Sequence, residues 1–401
     1  MHIWILKDSE PLPLTPDVKP LRAAMLTEAL MTRGHTVRWW CSTISHFHKT
    51  REAEAGHYTL SNAQGSYTVQ RIEAGLYRRN LSCARLLHHH RLAKRWRLVA
   101  EQSLETPDMI LCAYPMIEWV KEALAYATPR NIPVVVDVRD QWPDTFVNYV
   151  PRLLKPLMWL ATKAIYPNVD ALFRAPKSIT SMSACVLRWA LDKACRAEGP
   201  DTRVFYLGTS LSQTITQSTR TQLPMDRATR CLFLGTLGHT ADVLTIADAA
   251  RHLHNSKQNI HITIAGDGDY MAALRKAVDG LPNVTLAGWC TAADATTLLS
   301  EADIALLTGH NEAMPNKFFD YVAAGLPIVC SLRGEVRDYI THHHLGACCP
   351  SGDAQALVQA ICVVRDHYGE CAAAVQSVPA SDYTCEAIYD SFAQFLERLG
   401  K

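Results

Sequence analysis

The sequence predicts an α/β protein built from two Rossmann-like, doubly wound domains. Three observations carry that expectation. The chain opens with an apolar run, His2 to Leu6, then a stretch of helical spacing, Leu21 to Arg33, then a second run, Thr36 to Trp40; this is the βαβ start of a doubly wound sheet. From Cys231 onward, apolar runs alternate with small-residue loops and helical stretches, the pattern of a parallel sheet wrapped by helices. At 401 residues the chain has room for two cores of ordinary domain size.

In the first half, Leu26 and Leu30 share a face of the opening helix, and Gly34 ends it. Arg22, just inside that helix, either meets a phosphate or faces water. The first loop holds no G-x-G-x-x-G, so a dinucleotide cofactor is not indicated. Residues 77–98 carry Arg78, Arg79, Arg85, Arg91, Lys94, Arg95 and Arg97 with no acidic residue, interleaved with Leu86, Leu87, Leu92 and Trp96. Two readings stand. The segment lies on an anionic membrane, each surface cation contributing on the order of 1 kcal/mol, or holds the diphosphate of a lipid-linked acceptor. Alternatively it is a solvated helix with its apolar face packed on the domain. His88 to His90 read as surface, because adjacent residues point in different directions.

Met109 to Ala113 and Pro133 to Val138 are further strands, separated by a helix across Ile117 to Tyr126. In the loop Asp137 to Asp144, Arg139 and Asp140 are candidates for orienting acceptor or leaving group, with a local ion network as the alternative. Leu153 to Ile165, with Lys155 and Lys163, is a membrane-facing or interdomain surface, or a core helix. Val204 to Leu207 is the expected last strand of an N-terminal domain, residues 1–207. A Ser/Thr-rich linker, 208–226, then leads to a second domain, 227–380, and a terminal amphipathic helix within 381–401.

Composition narrows the function. Lys+Arg 40 against Asp+Glu 39 gives a net charge of +1, so no global field draws the chain to nucleic acid, and no recognition motif for it is present. The 13 cysteines are scattered and odd in number, without a secretory signal or C-x-x-C pair; a reducing cytoplasm and no metal site are expected. No apolar run reaches the roughly 18 residues of a spanning helix, so any membrane attachment is peripheral, on the cytoplasmic face.

The second half concentrates the chemistry. Gly235-Thr236-Leu237-Gly238-His239 follows a strand, and its glycines let backbone approach a phosphate closely; the loops Gly266-Asp267-Gly268-Asp269 and Gly288-Trp289 follow the next two strands. After the strand Ile304 to Leu307 comes a polar loop with Glu312, then Pro315 and Asn316 at a helix start, Lys317, Asp320 and the C-terminal stop Gly325. A helix N-terminus suits a phosphate, Lys317 adds a full charge, and a nearby carboxylate can accept from a sugar diol. The plainer reading is a Lys317–Asp320 surface pair with Glu312 solvated.

This stretch, with seven residues between Glu312 and Asp320 and the wording P-N-K-x-x-D-Y-x-A-x-G-x-P, resembles the E-x7-E segment of family 4 retaining glycosyltransferases. The loop D-x-R-D-x-W-P at Asp137 and the pair Gly34-His35 resemble the bacterial surface-polysaccharide branch of that family. The resemblance implies a GT-B fold, with two Rossmann-like domains facing across a cleft that closes on the substrates. It implies a nucleotide diphosphate sugar, most naturally UDP-linked, as co-substrate rather than resident cofactor, and a glycan or polyprenyl-diphosphate-linked acceptor. It further implies Glu312 at the sugar, Asp320 at the ribose and Trp289 near the base. Gly266-Asp267-Gly268 would match the family's G-x-G turn, and the diphosphate would be held by the Gly235 to Gly238 loop, the helix start at Pro315 and Asn316, and Lys317, His239 or an arginine such as Arg333. One departure stands out: Thr236 to Ala241 lacks the Arg and Lys that many members carry there. Two rival readings are a nucleotide-sugar 2-epimerase of the same fold and a catalytically silent nucleotide-sugar-binding or membrane scaffold protein.

Overall fold

The computed structural model describes residues 1–13, 20–46, 48–62, 64–79, 82–167, 169–210, 221–238, 240–310, 312 and 314–400. The chain divides into two compact units: residues Met1–Leu207 with Ile388–Lys401, and Gly208–Ala387. Of the expected linker, residues 211–220 lie outside the described residues.

Unit 1 is built on eight strands: β1 (His2–Leu6), β2 (Thr36–Ser42), β3 (Gly56–Asn62), β4 (Gly65–Ile72), β5 (Met109–Tyr114), β6 (Val134–Val138), β7 (Ser178–Ser181) and β8 (Thr202–Val204). They lie in the order β3-β4-β2-β1-β5-β6-β7-β8 and are parallel except for β3, which runs antiparallel to β4. The β3–β4 hairpin has no counterpart in the sequence expectation, and the last strand lies at Thr202–Val204 rather than Val204 to Leu207. The central strands are buried on both faces, which is why they read as continuous apolar runs. Under them Trp4, Trp40, Trp96 and Tyr126 pack together, with Trp4 and Trp40 centroids 4.8 Å apart and edge to face. The C-terminal helix Cys385–Leu399 closes the unit: Phe392 stacks on Phe205 at 4.1 Å, and Arg33 bridges Asp390 and Glu397.

Residues 83–98 of the basic stretch lie in the helix Cys83–Glu101, one side of which packs on the domain. Leu92, Ala93 and Trp96 enter the core, Lys94 pairs with Glu122 at 2.7 Å, Arg97 with Glu101 at 2.7 Å, and Arg95 donates to the Glu73 carbonyl. The histidine triplet departs from expectation: His88 and His89 are buried, because the helix turns both into the domain.

Unit 2 holds six parallel strands, β9 (Thr229–Leu234), β10 (Ile260–Ala265), β11 (Val284–Gly288), β12 (Ile304–Leu307), β13 (Ile328–Cys330) and β14 (Gly346–Cys348), in the order β11-β10-β9-β12-β13-β14. The order reverses between β9 and β12, and loops outside the carboxyl ends there are where doubly wound sheets take ligands. No helix among the described residues is long and apolar enough to cross a membrane.

Candidate functional site

At the carboxyl edge of the second sheet, the helix Asn316–Ala323 is fixed by Tyr321, whose hydroxyl accepts from the Leu234 N–H at 3.0 Å and donates to the Leu306 carbonyl at 3.3 Å. One buried phenol thereby ties the helix to the ends of β9 and β12. Pro315 occupies the N-cap and no side chain caps the helix. Lys317 lies in the first turn, its Nζ 4.1 Å from the centre of the Phe233 ring and beside Gly235. It forms no ion pair among the described residues, so the Lys317–Asp320 surface pair of the plainer reading is absent. Asp320 instead accepts from the Thr209 hydroxyl at 2.6 Å.

Burial pulls the Lys317 pKa down from 10.5 to about 8. The ammonium also sits at the positive end of its own helix dipole, where a cation is disfavoured. Desolvated, at the wrong pole and without a counter-ion among the described residues, this charge is one that a bound anion would stabilise.

The glycine loops hold one another. Gly235 donates to the Ala265 carbonyl at 2.9 Å, Leu237 to Asp267 at 3.0 Å, and Gly266 to Gly288 at 2.6 Å. A Cβ on Gly266 would lie 1.8 Å from the Gly235 carbonyl oxygen, and one on Gly235 would lie 2.8 Å from Lys317 Nζ. Gly266 is therefore demanded by loop-on-loop packing, while Gly235 leaves room for the lysine. Gly268 packs on the Leu237 backbone, and Gly238 is uncrowded. Trp289 follows the Gly288 turn and is 72% exposed. Glu312 is exposed, with its backbone against Gly334; Asn316 is exposed too. Gly235, Gly266, Gly268 and Lys317 thus come together with Trp289 one loop away, and His239 lies outside the described residues.

In unit 1 the site expectation changes. Arg139 donates to Asp137 at 2.9 Å and to Glu10 at 2.9 Å, the ion network rather than a side chain turned toward ligand. Arg22 faces neither phosphate nor water: it is buried, binds Asp137 through two nitrogens at 2.8 and 2.9 Å, and stacks over Phe392. The other oxygen of Glu10 accepts from Ala23 at 2.7 Å, so a carboxylate of the chain occupies the helix start that a dinucleotide phosphate takes in other Rossmann folds. Asp140 accepts from the Gln141 N–H at 2.7 Å and the Thr145 hydroxyl at 3.0 Å, which makes it the organiser of its own turn.

A group at the carboxyl ends of β1, β2 and β4 escaped the sequence reading. His88 bonds the Gly75 carbonyl at 2.7 Å and the Asp8 carboxylate at 3.3 Å. Burial opposes the Asp8 charge, but bonds from His88 and Ser42 hold its carboxyl well below the usual range. His46 meets the Tyr77 hydroxyl at 2.6 Å, and Lys49 and Arg85 lie over the Tyr77 ring. Burial and then those two cations push His46 down to about 4. The spacing of His46, Lys49 and Arg85 in the sequence carries no signal of this convergence; only the order of the strands creates it.

Two doubly wound units of this kind define the GT-B class, and solved structures of that class align along the whole chain. Sucrose-phosphate synthase from Thermosynechococcus elongatus matches with a TM-score of 0.69 at 14% identity, over 99% of this chain and 98% of that one. The HepE protein of Anabaena, solved in complex with UDP, matches at 0.65 and 15% identity over 99% and 100%. Residues 228–366 match the family described as Glycosyl transferases group 1, so unit 2 carries a domain of that family. Over 166 residues the chain is 31% identical to the amylovoran biosynthesis glycosyltransferase AmsK of Erwinia amylovora, 38% of this chain and 40% of that protein. Over 129 residues it is 24% identical to the 2-deoxystreptamine N-acetyl-D-glucosaminyltransferase of Niallia circulans, 31% of this chain and 33% of that protein. The chain thus spans less than half the length of either curated relative.

Proposed function

We propose that the protein is a retaining glycosyltransferase that moves a hexose or N-acetylhexosamine from a UDP-linked donor to a glycan or polyprenyl-diphosphate-linked acceptor in surface-polysaccharide assembly. The observation that carries this reading is Lys317, a desolvated cation in the first turn of an uncapped helix with no ion-pair partner among the described residues. A diphosphate supplies the missing charge. The UDP and UDP-glucose complexes of HepE support the choice of nucleotide, and the amylovoran relative supports the setting.

In the reaction, the bond from the anomeric carbon to the diphosphate oxygen breaks, and its electron pair stays with the diphosphate. The acceptor oxygen forms the new bond on the same face, and its proton passes to the departing phosphate. Charge grows on the leaving group, and preorganised donors aimed at that charge are the largest single catalytic device. Lys317 and the backbone at Asn316 fill that role. Glu312 meets the sugar, Trp289 offers its exposed face to the base, and Asp320 accepts from the ribose hydroxyls beside its bond from Thr209. The cations Lys49 and Arg85 hold the diphosphate of the acceptor.

The test is a panel of UDP-hexoses and UDP-N-acetylhexosamines with a polyprenyl-diphosphate-linked glycan, read by NMR at the anomeric proton. The expected product keeps the donor's anomeric configuration. An inverted product, a C2 epimer carrying solvent deuterium, or binding without turnover would each overturn the reading.

A further inference from the structure

We propose that the helix Lys155–Ile165, with the turn Arg152–Leu154 before it, is a docking surface for an anionic lipid bilayer. This helix is inside out. Leu153, Leu157 and Leu160, spaced to share one face with Ala164, are 93%, 66% and 60% exposed, and Leu154 and Trp159 are 49% and 53% exposed. The polar Thr162 is buried, with its hydroxyl donated to the Trp159 carbonyl at 2.8 Å. A helix that only covered the domain would turn its leucines inward and Thr162 outward.

Charge selects the partner. Between Asp144 and Asp170 the chain carries Arg152, Lys155 and Lys163 and no carboxylate. Leucines and a tryptophan flanked by cations fit the headgroup boundary of a bilayer with negative lipids, where the apolar face buries and the cations meet phosphates. A protein partner of ordinary mixed charge would leave those cations unmatched. At 11 residues the helix is about 16 Å long against a hydrocarbon core of about 30 Å, so it lies on the surface rather than spanning it. The helix Cys83–Glu101 is the weaker candidate, since Leu92 and Trp96 are in the core and Lys94 and Arg97 are paired. The docking helix belongs to the crossover that leaves the carboxyl end of β6, the edge of unit 1 where Lys49, His46 and Arg85 gather, so docking brings that edge toward the lipid. The link to a lipid-linked acceptor rests on the proposed transfer reaction; the docking itself does not.

Sedimentation with extruded vesicles tests the proposal, using phosphatidylcholine alone and phosphatidylcholine mixed with phosphatidylglycerol. The full chain should bind the phosphatidylglycerol vesicles at least about tenfold more tightly than the neutral ones, and salt should weaken that binding. The double variant Leu157→Glu/Leu160→Glu should lose at least about tenfold in vesicle affinity while its Tm and UDP affinity stay unchanged, because both side chains face solvent. Wild-type vesicle binding by the double variant, or no binding by the parent chain, overturns the proposal. So does a parent dimer that the two substitutions dissociate, since a second copy would then be what covers the face. UDP affinity in the same preparations reads the donor site separately, so failure of one claim is distinguishable from failure of the other.

Discussion

Lys317→Met should weaken UDP binding roughly 100-fold and slow transfer by a further factor of about 100, while the ligand-free protein becomes more stable. The three effects share one cause. The ammonium is desolvated and lies at the positive end of its helix, and its pKa is drawn from 10.5 to about 8. Below pH 8 the folded state carries that charge against a penalty on the order of 1–3 kcal/mol, which an isosteric apolar side chain removes. Melting curves should therefore shift up by a few degrees in the variant as titration calorimetry records the lost affinity. The sign of the pH dependence follows. Between about pH 8 and 10.5 the unfolded chain binds more protons at this residue than the folded one, so the lysine's penalty fades as pH rises. The affinity for UDP needs the ammonium, so it should hold steady from pH 7 to about 8 and decline above that, a decline absent in Lys317→Met. A variant that bound UDP normally would remove the basis of the donor site.

Asp137→Ala should cost about 3–5 kcal/mol and lower the Tm by roughly 10 °C, with UDP affinity in unit 2 unchanged. Asp137 is fully buried between Arg22 and Arg139 and also accepts from the Thr180 hydroxyl at 2.9 Å. Burial opposes its charge, but the two guanidinium groups hold the carboxyl well below its ordinary value of 3.8. The stability it contributes is complete above that ordinary value and is lost only as the pH falls through the lower folded one. Removing it leaves the Arg22 guanidinium, 3% exposed, without its charge partner. Arg139→Ala should cost less, because Arg139 is 14% exposed and water can reach part of what it leaves. Differential scanning calorimetry of both variants decides the point. Full stability with lost turnover in Arg139→Ala would return that residue to a direct role in the chemistry.

Much of the fold was legible because its signals are local. Ile3, Leu6, Ile304 and Leu307 lie in strands buried on both faces, and such strands read as apolar runs in any context, while Ile260 and Ile264 mark the buried face of a strand that alternates with half-buried His261 and Thr263. The helix Asn316–Ala323 announced itself through Pro315 and Gly325. The β3–β4 hairpin did not: Gly56–Asn62 alternates half-buried and exposed residues and is largely polar, so its strand character depends on pairing with β4. His88 and His89 were misread for a related reason. The partners of His88, Asp8 and the Gly75 carbonyl, and the Trp142 ring beside His89 reach them only through the topology of the sheet.

The same division runs through the site. Lys317 could be picked out by its neighbours in sequence, yet its lack of an ion-pair partner, which gives it meaning, is visible only once Asp320 is seen bonded to Thr209. Glycines 235 and 266 were legible as necessary, but the reason lay in contacts with each other's loops and with Lys317. Arg139 has Asp137 two residues away and Glu10 in the loop after β1, far off in the chain; only the first was within reach of a sequence reading.

The central claim is that Lys317 and the start of its helix receive the diphosphate of the donor. A crystal structure of the full chain with UDP tests it most directly. Diphosphate oxygens about 3 Å from Lys317 Nζ and from the backbone at Asn316 are the result this account predicts. A nucleotide bound elsewhere, with Lys317 still lacking an anionic partner, would contradict it.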